Sequence, residues 1–315
     1  MVDLSIIIVN YNVRELLRDC LDTLMVSNTT RINSNSPRIG SNSPRIDSNE
    51  WMEVFVVDNA SKDGSVEMVR GEFPQVKLIA SDKNLGFARA NNLAIKQSSG
   101  RYLLFLNPDT TVSSGTLPEM IKFMEENPKV GVSTCFVELA SGGMDIDCHR
   151  GFPTPWASLC HFSGLAKLFP RSKIFGQYHQ TWKDLTKTHE IDSCCGAFMM
   201  VRRAAMEEVG VWDEDFFFYG EDLDWCYRFQ EKGWKVMFYP HVKITHHKGA
   251  SSGMKKSSQE VTTATREARR RARKASTDAM RLFYNKHYRQ KCPAVLNWLV
   301  LGGIKLMEKL RLRRV

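Results

Sequence analysis

Three short segments carry side chains whose types could do chemistry together. Asn107-Pro108-Asp109-Thr110 follows an apolar run, Gly220-Glu221-Asp222-Leu223-Asp224-Trp225 opens a helical stretch, and His246-His247 closes a later run. Asp109, directly after YLLFL, is placed to hold a hard divalent cation, Mg²⁺ or Mn²⁺, against phosphate oxygens. Such ions take one or two carboxylates and leave their other positions to substrate. His246 can complete that set; adjacent strand residues face opposite ways, so only one of the two histidines reaches it. Glu221, Asp222 and Asp224 fall in one first helical turn, where the helix dipole favours carboxylates. The aromatic run Phe216-Phe217-Phe218-Tyr219 before them and Trp225 after them are apolar walls, which raise a carboxyl toward a useful general base. These influences oppose each other and fix no pKa. Acidic first turns are also ordinary capping, and Asn-Pro-Asp-Thr is an ordinary turn; the weight lies in all three segments sharing one chain.

The elements that must position these groups are legible in the first 110 residues. Short β-rich runs at 4–10, 53–58, 76–81 and 102–107 alternate with helical stretches after Tyr11, Asp63 and Gly86. Near-continuous apolar strands such as SIIIV and YLLFL imply burial on both faces, hence an α/β fold with a mostly parallel central sheet flanked by helices. In such sheets ligands bind beyond the carboxyl ends of the strands, where Asn10, Asp58 and Asp109 fall. Asp58 can accept from a nucleobase N–H or a ribose hydroxyl there, or cap its own turn. The segment from Asn84 to Asn92 places a glycine turn before a helix, with Arg89 in its first turns, so helix N-terminus and guanidinium can offset a diphosphate. It lacks the G-x-G-x-x-G spacing, which weighs against a nicotinamide enzyme. Farther on, 148–187 resists periodic assignment and reads as a mobile lid or acceptor loop; 194–202 reads as a strand, and the run up to His246 as a strand pair.

Composition bounds the rest. The 315 residues are 43% hydrophobic and 25% charged, those of an ordinary globular chain, and the formal charge of +9 is concentrated near the C-terminus. There the chain reads REARRRARK from Arg266 and ends KLRLRRV, a patch that attracts nucleic acid or anionic lipid. The basic run has no aromatic interleaving, so nucleic acid is not expected; a nucleotide-binding protein without catalysis is the other alternative. Eight cysteines without a CxxC pair fit thiols in a reducing cytoplasm. The late apolar run 294–307 is broken by Asn297, Gly302, Gly303 and Lys305, too short to span a bilayer, and is expected to lie peripherally on the inner membrane face. A division follows: a catalytic domain over 1–253, with a flexible insert at 28–50 built on the tandem heptad NSNSPRI-GSNSPRI, and a basic helical extension over 254–315.

In this order, SIIIVNYN, VVDNAS, NLGFARANN, FLNPDT, GAFMMVRR, FYGEDLDW and THHKGASS resemble the motifs of inverting family-2 glycosyltransferases of the GT-A fold, especially the rhamnosyltransferase-like branch. The resemblance covers roughly 3–255 and FYNKHY at 283–288. It implies a donor site with Asp58 on the nucleoside, helped by Asn10, Asn84, Arg89 and Asn107, and a metal site of Asp109 and His246. It implies Asp222 as general base, with Glu221 and Trp225 on the acceptor side. It further implies a nucleotide-sugar donor such as dTDP-L-rhamnose and a glycan or lipid-linked acceptor. The family's DxD acid pair is reduced here to Asn107-Pro108-Asp109.

Overall fold

The computed structural model describes residues 2–33, 51–247 and 266–313. Four parallel strands come first: β1 (Leu4–Asn10), β2 (Met52–Asp58), β3 (Lys77–Ala80) and β4 (Tyr102–Leu106), linked through α1 (Arg14–Asn33), α2 (Ser65–Glu72) and α3 (Phe87–Ile95). Successive side chains leave a strand on opposite faces, and both faces are buried here. Ile6, Ile8, Val54, Val56, Leu104 and Leu106 pack toward α1 and α4 (Thr116–Glu126), through Leu17, Leu21, Met120 and Met124. Ile7, Phe55, Val57, Leu103 and Phe105 pack toward α3, α7 (Arg203–Val209) and α8 (Glu221–Glu231). That sandwich explains why the strands read as unbroken apolar runs.

The second half of the sheet is mixed. β8 (Phe198–Arg202) pairs antiparallel to β4 and to β6 (Val130–Leu139), β9 (Lys235–His246) runs parallel to β6, and β5 (Thr110–Val112) closes the path antiparallel to β9. The order is β3-β2-β1-β4-β8-β6-β9-β5, with the short β7 (His189–Glu190) on β9. Two expectations need correction. The run from Cys194 is strand only from Phe198, because its partner β4 ends at Leu106, opposite Phe198. The expected strand pair is one strand, whose pairing with β6 jumps from Tyr239 to Lys243 across Pro240, which has no N–H to donate.

The aperiodic stretch folds as a one-turn 3₁₀ helix (Ile146–Cys148), α5 (Pro155–Ser163), α6 (Leu165–Leu168) and turns. Residues 34–50 of the expected insert, with nearly all of the heptads, lie outside the described residues, as do 248–265 and 314–315. The C-terminal helices, α9 (Arg266–His287) and α10 (Ala294–Leu312), form a hairpin. Through Ala279 and Phe283, α9 packs on Phe216 and on Leu223 and Tyr227 of α8.

Candidate active site

The parallel register sets Asn10 beside Asp58 at the carboxyl ends of β1 and β2. Asn10 Nδ2 donates to Asp58 Oδ2 at 2.9 Å and to Ser61 Oγ at 3.1 Å, and the Ser61 N–H donates to Asp58 Oδ1 at 2.8 Å. Both residues are buried, and Asn10 Oδ1 has no partner. A buried acceptor left open costs about 1–3 kcal/mol, so this strand edge has capacity for an N–H from outside the chain. The neighbouring Asn59 ties that edge to the start of α3. Its amide donates to Asn84 Oδ1 and to the Gly86 carbonyl, and its Oδ1 accepts from the Leu85 N–H at 2.7 Å.

Gly86 has φ +81°, and a Cβ there would lie 2.4 Å from the Phe217 carbonyl oxygen, which already accepts from the Phe87 N–H at 3.1 Å. Only glycine fits. The loop before α8 is thereby stitched to α3, and a cavity of about 440 Å³ opens beside the join, with Lys83, Asn84 and Arg89 on its wall. Arg89 lies half-exposed, 3.3 Å from Glu214 Oε2. Asn107 uses its backbone: the carbonyl accepts from Thr110 Oγ1 at 2.7 Å and the N–H donates to Ala197 O.

Asp109 and His246 meet because β5 and β9 pair with Thr110 opposite His246. His246 Nε2 is 3.2 Å from Asp109 Oδ1, and its Nδ1 is 2.9 Å from Asp145 Oδ2. Burial pushes the imidazole down, but its bonds to Asp109 and Asp145 win and raise it to about 10; a cation at Nε2 would take the place of the proton that this pairing holds there. Adjacent ligand atoms around an octahedral ion at about 2.1 Å lie about 3.0 Å apart, so Asp109 Oδ1 and His246 Nε2 fit two neighbouring positions of such a shell. A carboxylate behind the ring, as Asp145 is, fixes the orientation of a ligating histidine. His247 is exposed, as strand alternation requires.

Asp145 lies outside every motif read above, and nothing in its spacing marked it. It precedes the 3₁₀ turn and caps it, accepting from the Asp147 N–H. Cys148 and Cys195 lie beside it, with donor atoms of all three within 4.8 Å of one another.

The acids of α8 follow Tyr219 (φ 74°) and Gly220 (φ 86°), two successive left-handed residues that turn the chain sharply into the helix. Asp222 Oδ2 accepts from Arg150 Nη2 at 2.6 Å, and its Oδ1 accepts from the Leu223 N–H at 2.7 Å. Ionised carboxylate oxygens retain further lone pairs, so a hydroxyl proton can still be received there. Arg150, largely buried, is a second residue that sequence reasoning missed. Glu221 is buried with Oε2 unpaired, and burial together with the adjacent Asp222 charge pushes it up to about 8. Raised this far it favours its protonated form at neutral pH, and so adds no second negative charge beside Asp222.

Trp225 is the clear correction. It is wholly buried against Phe105, Trp212 and Phe229, and its Nε1 donates to the Gly210 carbonyl at 2.8 Å. The ring is part of the core between the sheet and α8, away from any acceptor. Asp224 is also buried, paired with Arg228 in its own helix and with Lys286 and His287 of α9. The sequence signal for that contact was the FYNKHY segment itself.

Fold and family are fixed by comparison with known proteins. The family model "Glycosyl transferase family 2" matches residues 5–210. An N-acetylglucosaminyl-diphospho-decaprenol L-rhamnosyltransferase of Mycobacterium tuberculosis is 26% identical over 213 residues, 64% of this chain and 68% of that protein. The rhamnosyltransferase WbbL of Escherichia coli is 26% identical over 171 residues, 51% of this chain and 61% of that one. Among solved structures, the mannosyltransferase PcManGT of Pyrobaculum calidifontis, in complex with GDP-Man and Mn²⁺, superposes with a TM-score of 0.53 at 16% identity, covering 98% of this chain and 72% of that one. GalNAc-T7 with UDP, GalNAc and Mn²⁺ also gives 0.53, at 13% identity over 80% of this chain and 46% of that one. Strand order, stitched loops and matched motifs converge: the fold is GT-A, and the chain is a glycosyltransferase that belongs to glycosyltransferase family 2.

Proposed function

We propose that the chain transfers L-rhamnose from dTDP-L-rhamnose to a hydroxyl of a lipid-linked or polysaccharide acceptor, in one inverting displacement. The donor and acceptor classes rest on the two rhamnosyltransferases named above, one of which carries a lipid diphosphate in its substrate's name. The observation that carries the mechanism is the ordering of pairs beyond the strand ends: Asn10 with Asp58, Asp109 with His246, Asp222 with Arg150.

In this reading Asn10 and Asp58 hold the nucleoside, and the start of α3 with Asn84 and Arg89 faces the diphosphate. Asp109 and His246 would hold Mg²⁺ or Mn²⁺, which when bound supplies positive charge to the departing diphosphate. Asp222 receives the proton of the acceptor hydroxyl as its oxygen attacks the anomeric carbon. Arg150 holds the carboxylate in place, and Glu221, protonated beside it, adds no second negative charge. Positioning supplies much of the acceleration.

Two measurements test this. Calorimetry with dTDP, UDP and GDP, each with Mn²⁺ and with chelator, is expected to give metal-dependent binding of dTDP above the others; binding of none removes the donor assignment. Asp222→Asn is expected to lose transfer by about 10²-fold or more while binding nucleotide as before. Substantial residual transfer would exclude Asp222 as the base.

A further inference from the structure

Two pairs of thiols flank the site, and the chemistry above uses neither. Cys148 Sγ lies 2.7 Å from Cys195 Sγ. Both pack on the face of the sheet that α1 and α4 cover, Cys148 buried and Cys195 partly exposed. Cys194 belongs to the opposite face, where its thiol is hydrogen-bonded to that of Cys226 in α8, both wholly buried. Successive residues of extended chain alternate in this way, so the adjacent Cys194 and Cys195 have different partners on the two sides of the sheet.

The backbone sets up the first pair. The Arg150 N–H donates to the Ser193 carbonyl at 3.0 Å and the Ser193 N–H to the Arg150 carbonyl at 2.9 Å, an isolated antiparallel bridge. Two residues before Arg150 and two after Ser193, antiparallel register puts Cys148 opposite Cys195. The one-turn helix that ends in Cys148 starts from Asp145: the Cys148 N–H donates to the Asp145 carbonyl at 2.9 Å, and the Asp145 carboxylate backs His246. Cys148 thus stands between the acid behind the metal pair and Arg150, which holds Asp222.

The sulfur separation decides what this pair is suited to. A disulfide bond is about 2.05 Å long, so closing the pair draws the sulfurs together by less than an ångström. Zinc, with Zn–S bonds of about 2.3 Å, holds two thiolates about 3.8 Å apart; it would have to push these two outward by about an ångström, although Asp145 offers a third donor. Access then selects between the thiol pairs, because Cys195 is open to a small reagent and Cys194 and Cys226 are not.

We infer that Cys148 and Cys195 form a redox site, closed to a disulfide by a low-molecular-weight disulfide such as oxidised glutathione and reopened by excess thiol. The Cys195 sulfur, as thiolate, attacks one sulfur of the small disulfide and releases one thiol; Cys148 then attacks Cys195 in the mixed disulfide and releases the second. Two electrons and two protons pass from the protein dithiol to the reagent. The closed bond ties the turn that carries Asp145 and Arg150 to the segment leading into β8. Resting on the metal site proposed above, it also reaches His246: a shift of the Cys148 backbone passes to Asp145 and loosens its hold on the ring.

The test is incubation of the folded chain with oxidised glutathione, then alkylation and peptide mapping by mass spectrometry. One bond is expected, Cys148 to Cys195. Because it closes a loop of 47 positions, the midpoint of thermal unfolding should rise by about 5 °C or more, and dithiothreitol should reverse both. Cys195→Ser should lose the bond and the shift, and Cys226→Ala should keep them. A bond between other cysteines, or glutathione left on Cys195, overturns the site, as does zinc in the purified chain that a chelator must remove before the thiols react. The free-Mn²⁺ electron paramagnetic resonance signal of the two forms separates the ideas. Affinity severalfold lower in the oxidised form and restored by reductant supports the link to His246, and equal affinity overturns it. A reduced chain that takes up no Mn²⁺ removes the metal reading, while a mapped bond upholds the redox site by itself.

Discussion

Asp224→Asn tests how firmly the C-terminal hairpin holds α8. Asp224 is wholly buried in the first turn of α8, and its carboxylate accepts from His287 Nε2 at 2.8 Å and Arg228 Nε at 2.8 Å, with Lys286 Nζ at 2.7 Å. Burial pushes the carboxyl up, but the His287 hydrogen bond and the Arg228 and Lys286 charges outweigh it and bring the group from 3.8 down to about 2. At about 1.4 kcal/mol per unit, that shift corresponds to about 2.5 kcal/mol in favour of the folded state. Because the folded value is depressed, the contribution is present above pH 3.8 and is lost as the pH falls toward about 2. The amide keeps the shape and removes the charge, leaving the cations of α8 and α9 facing a neutral group. The expected loss at neutral pH is therefore about 2.5 kcal/mol, rising toward about 4 if the stranded charges find no water. Urea denaturation at pH 7 and at a series of lower values reads it directly. Equal midpoints at pH 7, or a gap that stays constant as the pH is lowered through this window, would refute the account.

The remaining expectations concern the site. Glu221 sits at about 8 instead of 4.5, a raised value, so the wild type should lose stability as the pH rises from about 4.5 to about 8 and then level off. Glu221→Gln should remove that slope and be the more stable by a few kcal/mol above pH 8, read by thermal unfolding across the range; parallel pH profiles would contradict it. Asp145→Asn should weaken Mn²⁺ binding about 10–100-fold with Asp109 and His246 intact, read by the free-Mn²⁺ electron paramagnetic resonance signal; unaltered affinity would leave Asp145 a purely structural cap. Gly86→Ala must move the Phe217 carbonyl, and should cost about 1–3 kcal/mol of stability together with weaker nucleotide binding by calorimetry.

The residues that the sequence announced are those fixed by local rules. Asn10, Asp58 and Asp109 stand at the ends of strands whose apolar runs declare burial, and His246 differs from His247 by strand alternation alone. Residues supplied by chain far away in sequence gave no such sign. Asp145 reaches His246 across 101 positions and Arg150 reaches Asp222 across 72, and both precede or enter a stretch with no periodicity. The misreading of Trp225 has a different cause. Proximity in sequence to Asp222 suggests the acceptor side, whereas the indole reaches past the edge of α8 into the cluster of Phe105, Trp212 and Phe229. The pairing of the strands in the mixed half of the sheet was equally illegible, because β5 and β9 pair through contacts between segments more than 100 residues apart.

One loop joins the start of α3, the acids of α8 and the C-terminal hairpin. Phe216 is packed by Ala279 and Phe283 of α9, the Phe217 carbonyl caps the start of α3, and Gly220 leads directly into Glu221 and Asp222. A Cβ at Gly220 would come within 3.2 Å of Ala279 Cβ and of the Phe216 ring, so α9 lies hard against the turn that aims the acids. Displacing α9 by even an ångström must move either that turn or Phe216, and through Phe217 the mouth of the cavity beside α3. Interiors packed this closely pass displacement on instead of absorbing it. A contact made at the outer face of α10 is thus mechanically continuous with Asp222 through α9 and this loop.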